Sequence, residues 1–207
     1  MKAGMKEILK ALEIQRWDDH RYYHHSRINQ SLHFVSASSF LCAYALLFFQ
    51  PVLATLIGWF VAMTARQSGH FFFEPKGYDH VNHASHEHKE AIKVGYNLRR
   101  KILLYVAFVL APLPLLVDPT YFGLFEKEEL IHNAAMIWLV LGVAGLLFRG
   151  VHLFFLRDVQ TGMVWMLKIL TDPFHDLKLY WKAPLALARG ELIDQTLRAE
   201  VAERAFP

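Results

Sequence analysis

Four stretches of the chain, residues 32–49, 51–65, 102–117 and 133–148, contain no Asp, Glu, Lys or Arg. Each is 15–18 residues long, close to the ~20 that a helix needs to cross a ~30 Å hydrocarbon core once a flanking turn is added. Runs such as Leu46-Leu47-Phe48-Phe49 and Trp138-Leu139-Val140-Leu141 are apolar on every side. A surface helix of a soluble protein would carry a polar stripe instead. Gln50-Pro51 divides the first two runs into a tight helical hairpin, because proline disfavours helix at the residue before it. Hydrophobic residues make up 54% of the chain and charged residues 20%, against about 45–50% and 25% in soluble domains. Disorder and low complexity are thereby excluded. The expectation is an all-α integral membrane protein with one membrane domain over residues 1–207. Its four transmembrane helices are expected at about 31–49, 51–66, 102–117 and 132–149.

The placement of charge predicts the orientation. Lys2, Lys6, Lys10, Arg16, Arg21 and Arg27 precede the first run, and no Lys or Arg lies between the first and second. Seven follow the second, from Arg66 to Lys101, and eight follow the fourth. Between the third and fourth there is only Lys127, beside Glu126, Glu128 and Glu129. By the positive-inside rule both termini are cytoplasmic. The first 30 residues are polar, unlike a cleavable signal peptide, and the expected host is a bacterial inner membrane or an endoplasmic reticulum. Residues 5–17 and 183–205 have the mixed pattern of amphipathic helices on the cytoplasmic face. No basic cluster is interleaved with aromatics, which argues against nucleic acid as a partner.

In this topology eleven of the 12 histidines fall on or near the cytoplasmic side, with His132 alone on the far side. His25, Asn29 and His33 follow one another at i, i+4, i+8 on one helix face, and His20 and His24 form a second i, i+4 pair. His33 lies inside an apolar run, where a polar side chain must face the bundle and find a partner. At the end of the second run, His70 and Glu74 stand one helical turn apart. A further stretch, His80-Val-Asn-His83-Ala-Ser-His86-Glu87-His88, would place His80, His83 and Glu87 on one face if helical. Imidazole with carboxylate suits iron, manganese or zinc. With one cysteine, Cys42, inside an apolar run, thiolate sites are excluded. Helix ends at the cytoplasmic mouth make His25, His33 and His70 the leading metal ligands, with His24, His83 and His86 next. Asn29 and Glu74 are the candidates for a role beside the metal. Asp172-Pro173 reads as a helix N-cap followed by proline at the first position. Asp176, next to His175, could orient a neighbouring imidazole. A histidine-rich, thiol-free face on a membrane bundle suggests non-haem iron, Fe(II), with O2 and a lipid or fatty acid that enters from the bilayer. His152 stands isolated after the fourth run.

Tyr23-His24-His25-x3-Asn29-x3-His33 followed by Gly69-His70-x2-Phe73-Glu74 resembles the membrane-bound 2-hydroxy fatty acid dioxygenases (Mpo-type) of fungi and bacteria, as a divergent member in which Pro75-Lys76-Gly77-Tyr78-Asp79 follows the Phe-Glu. The resemblance covers residues 20–75, about a quarter of the chain. It implies an Fe(II) enzyme of fatty acid α-oxidation that shortens a 2-hydroxy acyl chain by one carbon with O2. His24, His25, Asn29, His33, His70 and Glu74 would carry its site. Arg27 or Arg66 could then meet the acid head. The extra histidines are similar to the boxes of di-iron fatty acid hydroxylases and desaturases. His20-x3-His24 fits HxxxH, while His80-x2-His83 and His83-x2-His86 fit half of HxxHH. A non-catalytic membrane protein that binds metal or haem is the alternative outside the enzymes.

Overall fold

The computed structural model describes residues 2–127 and 129–205; Glu128 lies outside them. The described residues are mostly helical, with no strand among them. Its elements are α1 (Lys2–Tyr23), α2 (Arg27–Leu46), α3 (Pro51–Leu56), α4 (Thr64–Ser68), α5 (His86–Ile92), α6 (Leu98–Leu110), α7 (Leu130–Leu156), α8 (Val159–Tyr180), α9 (Ala183–Ala188) and α10 (Gln195–Ala205). The second apolar run is one segmented rod. A π-helical stretch, Ile57–Met63, joins α3 to α4, and a second, Gly69–Phe73, continues α4. Proline at the first position of α3 sets the start of the rod, where its missing N–H costs nothing.

α2 lies at the centre, packed against α8, α9 and the segmented rod, while α8 also packs against α1 and α7. α6 joins the rod and α7 through aromatic rings. Trp59 stacks on Phe108 and Trp138 at centroid distances of 5.3 and 5.9 Å, and Trp138 Nε1 donates to the Phe108 carbonyl at 2.8 Å.

Burial runs opposite to that of a soluble domain. Asn29, Gln30, His33 and Ser36 of α2 face inward, as do Lys168, Asp172 and Asp176 of α8. Phe60, Leu103, Val140, Phe148, Phe155 and Phe174 are exposed. Cys42, expected within an apolar surround, is exposed on the outer side of α2. Among the described residues α7 is the one helix long and apolar enough to cross a bilayer, and only 17% of its most apolar window is buried. α2 is interrupted by inward polar residues, the rod contains Arg66, and α6 has 13 residues, or about 20 Å of rise.

Three local expectations are corrected. Asp172-Pro173 does not start a helix. It lies inside α8, whose N-cap is Asp158, with its side chain accepting from Thr161 N at 2.7 Å. Asp172 is drawn inward because three cations compete for it there. The segment with His80 and His83 is a turn closed by reciprocal hydrogen bonds between Asp79 and Ala84 backbones. His83 has φ +49°, and both histidines are exposed, so they share no helical face. Residues 183–205 form two helices, since Gly190 at φ +87° takes the left-handed conformation that ends the first.

α7 and α8 meet where both lack side chains. A Cβ on Gly162 would lie 2.6 Å from the Gly150 carbonyl oxygen and strike the Phe154 ring. Neither backbone can withdraw, so Gly162→Ala is expected to cost about 1–3 kcal/mol. Gly142→Ala, with nothing within 4 Å, is expected to leave stability unchanged or raise it. Unfolding of both variants in detergent micelles checks the pair.

Candidate metal centre

α1 ends at Tyr23 and α2 begins at Arg27, and His24 and His25 form the corner between them. The corner is pinned from both sides. Ser26 caps α2, its Oγ accepting from Ile28 N at 3.2 Å. Asn29 Nδ2 donates to the Tyr23 carbonyl at 2.9 Å, and Gln30 Nε2 to the His24 carbonyl at 2.9 Å. The segment before α10 binds the same corner: Asp194 N donates to the His25 carbonyl at 2.9 Å, and Arg27 N to the Leu192 carbonyl at 3.0 Å. These bonds turn the two adjacent imidazoles in different directions.

His24 turns inward to meet His33 of α2 and His70 of the second π-helical stretch. One ligand atom from each of the three lies within 4.8 Å of the others. Ring centroids are 4.2 Å apart for His24 and His33, and 5.1 Å for His33 and His70. The approach of His70 depends on Gly69, where a Cβ would strike Asn29 Oδ1 and lie 3.3 Å from the His33 ring. Asn29 is thus a buried brace between the corner and the rod. Its Oδ1 has no hydrogen-bond partner.

Each imidazole is held through Nδ1. Tyr180 Oη is 2.7 Å from His24 Nδ1, Asp176 Oδ2 is 3.5 Å from His33 Nδ1, and Glu74 Oε1 bonds His70 Nδ1. Nε2 of His24 and of His33 is buried without a partner. A proton on Nδ1, donated to phenol or carboxylate, leaves the Nε2 lone pair directed at the group's centre. This is the arrangement by which metal-binding histidines are oriented. Burial holds His24 and His70 well below the ordinary histidine value, keeping both neutral. Three neutral imidazoles fit iron, zinc, copper or nickel. Glu74 is tied up as the partner of His70 and of Lys93, 3.3 Å away.

The other sequence candidates fall elsewhere. His25 turns outward: its Nε2 meets the Arg21 carbonyl and stands 3.6 Å from Asp79. His83 is exposed, and His86 keeps a buried Nδ1 without a partner but stands outside the group. His20 bonds Tyr180 Oη at 3.0 Å, and His152 lies 3.3 Å from Arg149. Tyr180 was not singled out in the sequence, since a lone tyrosine about 150 residues from the histidines carries no local pattern. Asp176 does orient an imidazole, that of His33.

His24 and His70 open onto a cavity of about 690 Å³ that runs between the helices, lined largely by apolar groups such as Phe40, Trp59, Phe108 and Trp138. His33 closes the group from behind, fully buried. Comparisons with known protein families, with characterised proteins and with solved structures give no match.

Metal uptake is expected to follow the three inward histidines. Equilibrated with Fe(II) without oxygen, or with Zn(II), the protein should take up one ion per chain. His33→Ala and His70→Ala should lose it, and His83→Ala should retain it; elemental analysis of the purified variants checks this.

Burial also pushes His20 from 6.5 down to about 4. An unfolded chain therefore takes up a proton below 6.5 that the folded chain refuses, and stability falls as pH drops from 6.5 toward 4. Thermal unfolding of metal-free protein across that window should reveal the loss, to which buried His24 and His70 also contribute, and His20→Gln should make the profile shallower by one proton's share.

Proposed function

We propose that the protein is a membrane-embedded, iron-dependent oxygenase of a fatty acid, and that its reaction is the O2-dependent shortening of a 2-hydroxy acid by one carbon. The observation that carries this reading is the His24–His33–His70 group, with the Nε2 atoms of His24 and His33 unpartnered, on a largely apolar cavity of about 690 Å³. A cavity of this size and lining suits a ligand with a long hydrocarbon part. The exposed apolar belt and inward-facing charges support a bilayer setting. The four-span topology with cytoplasmic termini and a cytoplasmic histidine face rests on the Lys/Arg asymmetry. One group of three ligands among the described residues favours one iron over two.

Bound iron would supply the one-electron chemistry with O2 that no side chain offers. The chain's own residues position and shield. Tyr180, Asp176 and Glu74 fix the imidazole orientations, and Asn29 braces the corner. The aromatic lining excludes water and holds the alkyl tail. The overall balance is R–CH(OH)–COOH plus O2 giving R–COOH, CO2 and water, so the C1–C2 bond breaks and O2 is the oxidant.

Iron-loaded protein given O2 and 2-hydroxypalmitate should release pentadecanoate, with O2 consumed in equal amount, and His70→Ala should do neither. Return of the 2-hydroxy acid unchanged, while palmitate is hydroxylated or desaturated, would replace this reading with a hydroxylase or desaturase. Full binding of metal with no consumption of O2 on any lipid would leave a metal-binding membrane protein.

A further inference from the structure

The cavity needs a group that receives the head of an amphiphile, and the two arginines considered from the sequence are both committed. Arg27 lies outside the cavity lining and pairs with Asp194 at 2.8 Å. Arg66 is neutralised by Asp176 at 3.0 Å and Asp172 at 3.5 Å. Of the other lining cations, Arg16 binds Asp172 at 3.1 Å, Lys168 binds Asp19 and Asp172 at 2.7 and 2.6 Å, and Lys93 binds Glu74 at 3.3 Å. Lys101 differs. It lines the cavity with its side chain 16% exposed, and its nearest carboxylate oxygen, Glu74 Oε1, is 4.0 Å away and already bonded to His70. It makes no hydrogen bond of its own side chain.

A second observation points the same way. Lys101 is the third of three consecutive cations, with Arg99 and Arg100, in the first turn of α6. That end of a helix carries partial positive charge, so cations are disfavoured and an anion is favoured there.

A third concerns direction. Lys101, Leu104, Tyr105 and Phe108 all line the cavity. Their spacing of i, i+3, i+4, i+7 puts them on one face of α6, with the charge at one end and about 10 Å of apolar face beyond it. Gly58 and Gly142 also line the cavity, and a Cβ on either would meet nothing within 4 Å. The track is therefore charged at the end near His70 and Glu74, and open and apolar beyond.

We propose that Lys101 is the anchor for the carboxylate of a single-chain fatty acid, whose tail runs along the Leu104–Tyr105–Phe108 face of α6. This rests on reading the cavity as a lipid site, and adds to it the class of head group and the direction in which the chain lies. The single ammonium beside Glu74 selects a monoanion, because a doubly charged phosphate would bring more negative charge against that carboxylate. Since Glu74 Oε1 touches His70 and faces Lys101, the carboxyl end of the chain comes to lie by the imidazoles and its middle does not.

The test uses full-length protein in detergent with a dibrominated stearic acid, its methyl ester and a dibrominated alkyl phosphate of equal length. Bromine quenches indole fluorescence, and Trp59, Trp138 and Trp165 line the cavity. The acid is expected to bind about ten-fold tighter than the ester, the size of a charge-assisted hydrogen bond retained in an apolar site. Lys101→Met should abolish that preference, Lys101→Arg should keep most of it, and Arg99→Met, on the same turn of α6 but exposed and outside the cavity lining, should leave it in place. If Lys101→Met loses helical content, Lys101→Gln is read in its stead. Equal affinity of wild-type protein for acid and ester overturns the anchor, as does survival of the preference in the neutral variant. An alkyl phosphate that binds tighter than the acid overturns the carboxylate assignment. Metal content is read on the same samples. Acid preference without metal uptake removes the oxygenase and leaves the anchor standing, whereas metal uptake without acid preference does the reverse.

Discussion

Two carboxylates one turn apart on α8 hold the rest of the molecule in register. Asp172 accepts from Arg16 of α1 at 3.1 Å and from Lys168 of α8 at 2.6 Å, and pairs with Arg66 of α4 at 3.5 Å. Asp176 accepts from the same Arg66 at 3.0 Å and stands against His33 of α2 at 3.5 Å. Four helices thus converge on two side chains. In an apolar surround, removing one partner from such a set leaves a buried charge uncompensated, at a cost of roughly 3–5 kcal/mol. The proposed membrane setting would account for why the set exists. Where the outside is hydrocarbon, apolar contact does little to choose one helix arrangement over another, and polar contacts inside carry the specificity.

The histidine group is a dependent of that network. Arg66 neutralises the aspartate that orients His33, so the position of one imidazole is tied to the fit of α4 against α8. His24 is tied through Tyr180 to the end of the same helix α8. His70 is the exception: its support comes from Glu74 four residues on, backed by Lys93. Two imidazoles therefore report on α8, and the third on the segment that follows the rod.

The parts of the site that are local in sequence were legible there. His33 stood out as a polar residue in an apolar run, and His70 and Glu74 as a pair at helical spacing. Asp176 was visible as an acid beside a histidine, though the imidazole it orients is the distant His33. The choice between His24 and His25 was not legible. Adjacent residues in a corner point in different directions, and the corner's angle is set by Asp194 and Leu192, about 170 residues away. Asp172 and Pro173 imitate a helix start because the cap motif is a local pattern, and the pull of Arg16, Arg66 and Lys168 on the carboxylate is not. His80 and His83 drew attention by density, but Asp79 folds their segment into a turn that exposes them. Lys101 was counted among the charges that orient the chain, where its inward direction could not be seen. The helical class was evident from the apolar runs, while among the described residues α7 alone is long and apolar enough to cross a bilayer.

The two π-helical stretches in the rod from Pro51 to Phe73 have a genetic corollary. A π turn is a place where the helix accommodates an extra residue by widening locally instead of shifting everything beyond it. Ile57–Met63 and Gly69–Phe73 therefore act as phase adjusters between the proline that starts the rod and the histidine near its end. Deleting one residue from the first stretch lets the helix relax to α geometry with every later position kept in phase, so Arg66 keeps its aspartates and His70 its partners. A second deletion finds no such slack and turns all later positions about the axis by roughly the 100° that separates neighbouring residues, given 3.6 residues per turn. Among homologous chains, this segment should consequently occur in lengths one residue apart, with larger changes of length confined to places such as the loop after Val117.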